Sequence, residues 1–259
     1  MTSLSAHQSA KIVKCLYIGN SGVGKTGSMV SLVKAGYKLR VLDMDNGLDA
    51  LRKFIQRECP EKIDAVQFET LRDKIVSTPT GPVVRAPKAM VAATTLLNKW
   101  SDDTVPGEWG EDTILVLDSL TAMGRAAFEW AKGMNPSAKD PRQWYFAGQQ
   151  AIENIIALLT SEAFGANVIV ISHIAYVEMI EGNTRGFPTS LGSAQGNVIP
   201  RYFNTMISAE STDSGKKRII RTVPTNFLDL KNPAPFTLGP VLPLESGLAD
   251  LFGTIKGGD

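Results

Sequence analysis

The chain has 259 residues, 43% of them hydrophobic, enough to bury one sizeable core. With 27 Lys and Arg against 26 Asp and Glu, the net charge of +1 excludes a protein held to nucleic acid or membrane by overall charge, so any polyanion site must be local. Cys15 and Cys59 have no CxxC spacing and no neighbouring ligand set, and no apolar run approaches a membrane span. The chain reads as a soluble, cytoplasmic protein with idle thiols and no membrane partner. Residues 1–10 are Ser/Thr-rich without an apolar signal region and read as a flexible N-terminus.

The first apolar run, residues 13–18, predicts a strand, and residues 26–35 predict a helix. Between them stands Gly19-Asn20-Ser21-Gly22-Val23-Gly24-Lys25-Thr26, a complete GxxxxGK(S/T) in the strand–loop–helix setting of a P-loop. Backbone N–H groups converge on phosphate oxygens only where the chain turns tightly with few side chains, which glycine permits. Gly19 through Gly27 are therefore the expected nucleotide cradle, with Lys25 on the β- and γ-phosphates and Thr26 on Mg²⁺. Gly22 to Gly27 also spells GxGxxG, with Asp43 or Asp45 near the spacing of a ribose-binding acid. That reading fails on placement, because the glycine that directly follows the strand is Gly19 and a Lys-Thr pair belongs to phosphate and metal binding.

Residues 38–43 predict a second buried strand, 48–57 a helix and 64–68 a short strand. Four breakers argue against regular structure over 77–87: Pro79, Gly81, Pro82 and Pro87. Residues 88–100 have helical composition, and 101–112 read as a polar linker. The run 113–118, Thr-Ile-Leu-Val-Leu-Asp, is continuous and apolar and ends in an acid, the pattern of a Walker B strand. Asp118 is the expected Mg²⁺-orienting carboxylate. Ile152, Ile155, Ile156 and Leu159 recur at helical spacing up to Gly165, and 167–172 form another buried strand ending at Ser172-His173. From 178 to 200 the pattern dissolves into a Gly-rich loop, and 201–209, 216–223 and 226–230 predict a closing β meander. The domain is expected over 11–235, followed by a tail, 236–259, whose last residues fray.

This α/β alternation, with P-loop, Walker B strand and a polar residue ending the next strand, resembles the RecA-like P-loop ATPases: a mostly parallel sheet flanked by helices, here with a C-terminal β meander. The segment Val41-Leu42-Asp43-Met44-Asp45-Asn46-Gly47 looks like the RecA segment that carries the catalytic carboxylate, with the shorter Asp45 where the family has glutamate. The Asp118-Ser119 ending also looks like RecA rather than the Asp-Glu of AAA+ proteins and helicases. Among RecA-like proteins the chain is similar to the short phage ATPases of the Sak recombination group, on the early P-loop, Asp118-Ser119, Ile171-Ser172-His173 and Leu230-Lys231-Asn232. Asn232-Pro233 departs from that pattern, where related proteins often have a second basic residue.

The resemblance implies a slow, DNA-stimulated ATPase using ATP and Mg²⁺. It further implies single-stranded DNA as partner and a homo-oligomer, ring or filament, with ATP at its subunit interfaces. A single-stranded DNA-binding protein is a candidate partner, and host cytoplasm the compartment if the chain is phage-encoded. His173 is then the expected γ-phosphate sensor, and Lys231, or Arg221, the cation reaching a neighbour's γ-phosphate. Arg185 and Phe187 in the 178–200 loop, with the basic stretch Lys216, Lys217 and Arg218, are the expected DNA contacts. Two alternatives stand beside this reading, a small-molecule P-loop kinase and a weakly hydrolysing nucleotide-gated scaffold.

Overall fold

The structure, a computed structural model, describes residues 11–179 and 182–257. The N-terminus expected to be flexible, and Gly258 and Asp259 of the end expected to fray, lie outside the described residues. Chain order is β1 (Lys14–Gly19), α1 (Lys25–Ser28), α2 (Val30–Lys34), β2 (Lys38–Asp43), α3 (Asp49–Glu58), β3 (Val66–Thr70), β4 (Ile75–Thr78), β5 (Gly81–Val84), α4 (Ala89–Asn98), β6 (Thr113–Asp118), α5 (Leu120–Met134), α6 (Arg142–Thr160), β7 (Asn167–Ser172), β8 (Ile174–Glu178), β9 (Thr184–Pro188), α7 (Gln195–Val198), β10 (Thr205–Thr212), β11 (Lys217–Arg221), β12 (Val241–Pro243) and α8 (Gly247–Ile255).

The main sheet runs β12-β11-β10-β1-β7-β6-β2-β3, parallel from β10 to β3, with β11 and β12 added antiparallel at one edge. This is the expected class, a mostly parallel sheet flanked by helices with antiparallel C-terminal strands. Successive strand residues point to opposite faces, so the continuous apolar runs of β1, β6 and β7 feed two cores at once. Leu16, Ile18, Leu115, Leu117, Val168 and Val170 face α4, α5 and α6. Cys15, Tyr17, Ile114, Val116, Ile169 and Ile171 face α1, α2, α3 and α8. Truncating one of these fully buried side chains, such as Leu117→Ala, removes about 2–5 kcal/mol.

The order of strands also places the site. After β1 the chain lays β2 and β3 outward on one side and returns through β6 and β7 to β1's flank. It then crosses to put β10 on β1's other side. Ligands in such sheets bind at the carboxyl ends of the strands where the order reverses, here the end of β1.

Four expectations are corrected. Residues 77–87 are not irregular: β4 and β5 form a two-stranded hairpin in which Pro82 faces Ser77, tolerated because the ribbon is exposed and joins no larger sheet. The 178–200 loop is also largely regular, since β8 and β9 pair as a hairpin and α7 follows. The third antiparallel strand is β12, not 226–230, which bridges β9 at Leu228 and leads to Lys231, bonded reciprocally to Met206 of β10. Finally, the stretch read as a tail supplies β12 and α8, and Leu244, Leu248, Leu251 and Phe252 are buried in the second core. No helix among the described residues is long and apolar enough to cross a membrane.

Candidate functional site

The parallel register brings the strand ends together. Asp43 of β2 stands opposite Asp118 of β6, Asp118 opposite Ile171 of β7, and Ser172 opposite Ile18 of β1. The P-loop opens from β1 into α1 directly beside them. Gly22 and Gly24 adopt φ of 77° and 102°, backbone that L side chains rarely enter, and a Cβ at Gly24 would lie 2.8 Å from the Leu244 side chain. Gly27 is glycine for another reason: a Cβ there would lie 2.7 Å from the Phe54 ring of α3, so its role is helix packing.

Lys25 is buried, and its ammonium donates to the carbonyls of Gly19 at 2.7 Å and Asn20 at 2.9 Å. Burial lowers its pKa to about 8 against the opposing pull of Asp118 and Asp45. The Thr26 hydroxyl donates to Asp118 Oδ2 at 2.7 Å, which puts the two expected metal ligands side by side. A hydroxyl and a carboxylate beside a loop of N–H donors are the oxygen set that Mg²⁺·nucleotide requires, and the residues present fit it.

Asp118 is itself buried, and burial pushes its pKa up to about 6, helped by Asp45 and Asp43 and opposed by the Thr26 bond and Lys25. Since the folded value lies above the ordinary 3.8, the folded state binds the proton more tightly. Stability is therefore lost as pH rises from about 4 to about 6. Asp118→Asn should thus be more stable than the parent at pH 8, by on the order of 1–3 kcal/mol, and no different at pH 3.5. The same change should abolish Mg²⁺-dependent turnover. Denaturant melts at the two pH values check this, and a variant less stable at pH 8 contradicts it.

Two acids end β2, and the structure separates them. Asp43 is buried, with one oxygen accepting from the Gly47 N–H at 3.2 Å and the other from the Thr70 hydroxyl at 3.3 Å. Asp45 is exposed to the cleft, and it acts electrostatically on Lys25, Asp118 and His173 alike. Its backbone is fixed because the N–H groups of Met44 and Asp45 both donate to the Asp118 carbonyl, at 2.6 and 3.3 Å. His173 is half-buried beside them. Burial first and Lys25 second lower its pKa, against the opposing pull of Asp45.

The remaining expected residues lie outside this cluster or only touch it. The Lys231 ammonium donates to the carbonyls of Pro200 at 2.6 Å and Phe203 at 2.8 Å, and Arg221 is held by both oxygens of Glu210. Both cations expected to reach a neighbour are thus engaged within their own chain. Arg185 on β9 pairs with Asp229, and Phe187 is half-buried against Gly196. Lys216 and Lys217 are exposed at the β10–β11 turn, whereas Arg218 lies against Gly24 of the P-loop. Sequence reasoning missed Thr121, whose hydroxyl accepts the His173 N–H at 3.1 Å and meets the Thr189 hydroxyl at 2.7 Å. A threonine early in an apolar helix carries no local signal of that role.

The profile of the AAA_24 family, described as an AAA domain, matches residues 11–234. The chain belongs to this AAA domain family. It does so although Asp118-Ser119 lacks the adjoining glutamate whose absence sets the sequence apart from AAA+ proteins. No curated protein matches the chain. Among solved structures this AAA domain is similar to the RadB recombinase, at 14% identity over 81% of this chain and 79% of that one, with a TM-score of 0.46. It is also similar to a prototypical ATPase from the type III secretion system of pathogenic bacteria, at 14% identity over 78% and 52% of the two chains and a TM-score of 0.46. A third is the assembled ATPase EscN from enteropathogenic E. coli, at 15% identity over 79% and 43% and a TM-score of 0.44. The chain spans about half of each secretion ATPase. The protein is an AAA-domain P-loop ATPase built on a mostly parallel sheet.

Proposed function

We propose that the chain is an ATP-dependent DNA recombination or single-strand annealing protein of the Sak-like kind, hydrolysing ATP with Mg²⁺ and binding single-stranded DNA. One observation carries the DNA part. His173 stands between the P-loop, whose Lys25 acts on it electrostatically, and the β8–β9 hairpin, since its own backbone carbonyl accepts the Thr189 N–H at 2.9 Å, just past the hairpin's far end. His173 directly precedes β8, so the expected phosphate site would adjoin the root of this hairpin, on which Tyr176 is 50% exposed. A base stacked on such a ring gains about 1–3 kcal/mol. Arg185 would exchange Asp229 for a DNA phosphate.

In the reaction, Lys25 leaves the Gly19 and Asn20 carbonyls for the β- and γ-phosphate oxygens, while the loop N–H groups hold the rest of the chain of phosphates. Thr26 and Asp118 would hold Mg²⁺, which when bound neutralises charge on those oxygens. Asp45 orients a water and takes its proton as the oxygen bonds to the γ-phosphorus. The bond from that phosphorus to the bridging oxygen breaks, and ADP and phosphate leave. The neutral His173 reports the change at Gly19 to the hairpin.

Binding of a fluorescent single-stranded oligonucleotide, read by anisotropy, tests this coupling. Affinity should rise at least several-fold with ATP and Mg²⁺, and His173→Ala should keep ATP affinity while losing that rise. DNA affinity indifferent to ATP in the parent chain counts against the reading. We propose a homo-oligomer as the working form, with a single-stranded DNA-binding protein as a candidate partner. Completion of the site by a neighbour's Lys231 would require its ammonium to give up two carbonyls, at about 1.5–3 kcal/mol each.

A second reading, phosphoryl transfer to a small molecule, is favoured by a cleft of about 370 Å³ lined by Asp45, His173, Arg72 and Arg125. Hydrolysis without an added acceptor, stimulated by DNA, separates the two.

A further inference from the structure

The register of the C-terminal strands carries one basic residue to the P-loop. β10 lies along β1 with Ala209 opposite Gly19, and β11 runs back along β10 with Arg218 opposite Ser211, two residues beyond that level. Arg218 therefore stands at the same edge of the sheet as the phosphate cradle. A Cβ placed on Gly24 would lie 3.3 Å from its Nη1 and 3.8 Å from its Cδ. Leu244, whose side chain packs on Gly24, also bonds the Arg218 carbonyl through its backbone N–H at 3.4 Å, so the same residue touches both the P-loop and β11.

Its neighbour on the strand gives the contrast. Arg221 is neutralised by a bidentate pair with Glu210, with nitrogen–oxygen distances of 2.8 and 2.9 Å. Among the described residues the Arg218 guanidinium has no acid partner and no side-chain hydrogen bond, and it is exposed. A cation without an acid partner beside Gly24 of the P-loop gains a favourable interaction when an anion enters there. The guanidinium fork matches phosphate oxygens in a way that a lysine does not.

We propose that Arg218 binds the polyphosphate of the nucleotide in cis, so that the C-terminal hairpin is part of the nucleotide site and not of a DNA surface. This inference rests on the reading of the P-loop as an ATP site. It follows that DNA contact by the basic stretch is limited to Lys216 and Lys217.

The test uses the full chain with Mg²⁺ and two probes, mant-ADP by direct fluorescence titration and pyrophosphate by competition against it. Arg218→Ala should weaken both by about tenfold, one good charged contact, because the contact is to phosphate. Arg218→Lys should recover part of the loss, and oligonucleotide binding without nucleotide should be unchanged in both variants. A loss for mant-ADP with pyrophosphate unaffected overturns the proposal in favour of a contact to base or ribose. Unchanged nucleotide affinity in Arg218→Ala, with Lys25→Ala defective, overturns it while leaving the ATP site intact. Unchanged affinity in both variants sinks the ATP site and this inference together. Equal losses in Arg218→Ala and Arg218→Lys, accompanied by a fall in melting temperature, mean a structural role and overturn it as well.

Discussion

Lys25→Ala should lower ATP turnover by at least two orders of magnitude while leaving the melting temperature unchanged or slightly raised. The ammonium is the charge closest to where the γ-phosphate develops negative charge, and removing one preorganised donor of that kind costs about 10²–10³ in rate. The fold should not suffer, because the lysine is buried at an electrostatic cost that lowers its pKa to about 8, and only the Gly19 and Asn20 carbonyls lose a partner. Gly19 ends β1 and Asn20 opens the loop after it, where the exposed Asn20 lets water replace the ammonium. Phosphate release under saturating ATP and a thermal melt check the two halves separately. Retained turnover, or a collapse of stability, contradicts the assignment.

Asp45→Asn should bind ATP normally and hydrolyse it about 10²–10⁴-fold more slowly, the range for loss of a positioned general base. Asparagine keeps the shape and loses the proton acceptor. Asp43→Asn is the informative comparison, since that carboxylate spends both oxygens on Gly47 and Thr70. It should lower stability by about 1–3 kcal/mol, with turnover per folded molecule nearly unchanged. Single-turnover kinetics beside denaturant melts distinguish the two, and a reversal of the two phenotypes exchanges the two roles.

The contrast between these acids shows where the sequence was sufficient. The positions of Gly19, Asp118 and His173 in the fold were legible because each ends or directly follows a strand buried on both faces, and such strands announce themselves as unbroken apolar runs. The choice of Asp45 over Asp43 came from the resemblance, and the structure adds that Asp43 is held by Gly47 and Thr70 whereas Asp45 is exposed. The hairpins β4–β5 and β8–β9 were missed because neither joins the main sheet and their sequences, broken by Pro79, Gly81 and Pro82 in one and by Gly182 and Gly186 in the other, carry no apolar alternation. Leu228 and Leu230 suggested a strand because they are buried, but they reach the core from an irregular segment beside β10. Arg218 read as part of a DNA-binding basic run because its neighbour in space, Gly24, is remote in sequence, and only the pairing of β10 with both β1 and β11 brings them together.

The most direct test of the account is the steady-state rate of phosphate release from ATP by the full chain in Mg²⁺, with and without single-stranded DNA and with no other acceptor present. The account predicts turnover that requires Mg²⁺, is lost in Lys25→Ala and rises several-fold with DNA. Turnover that is the same with and without DNA, and appears only when a small phosphoryl acceptor is supplied, would contradict it.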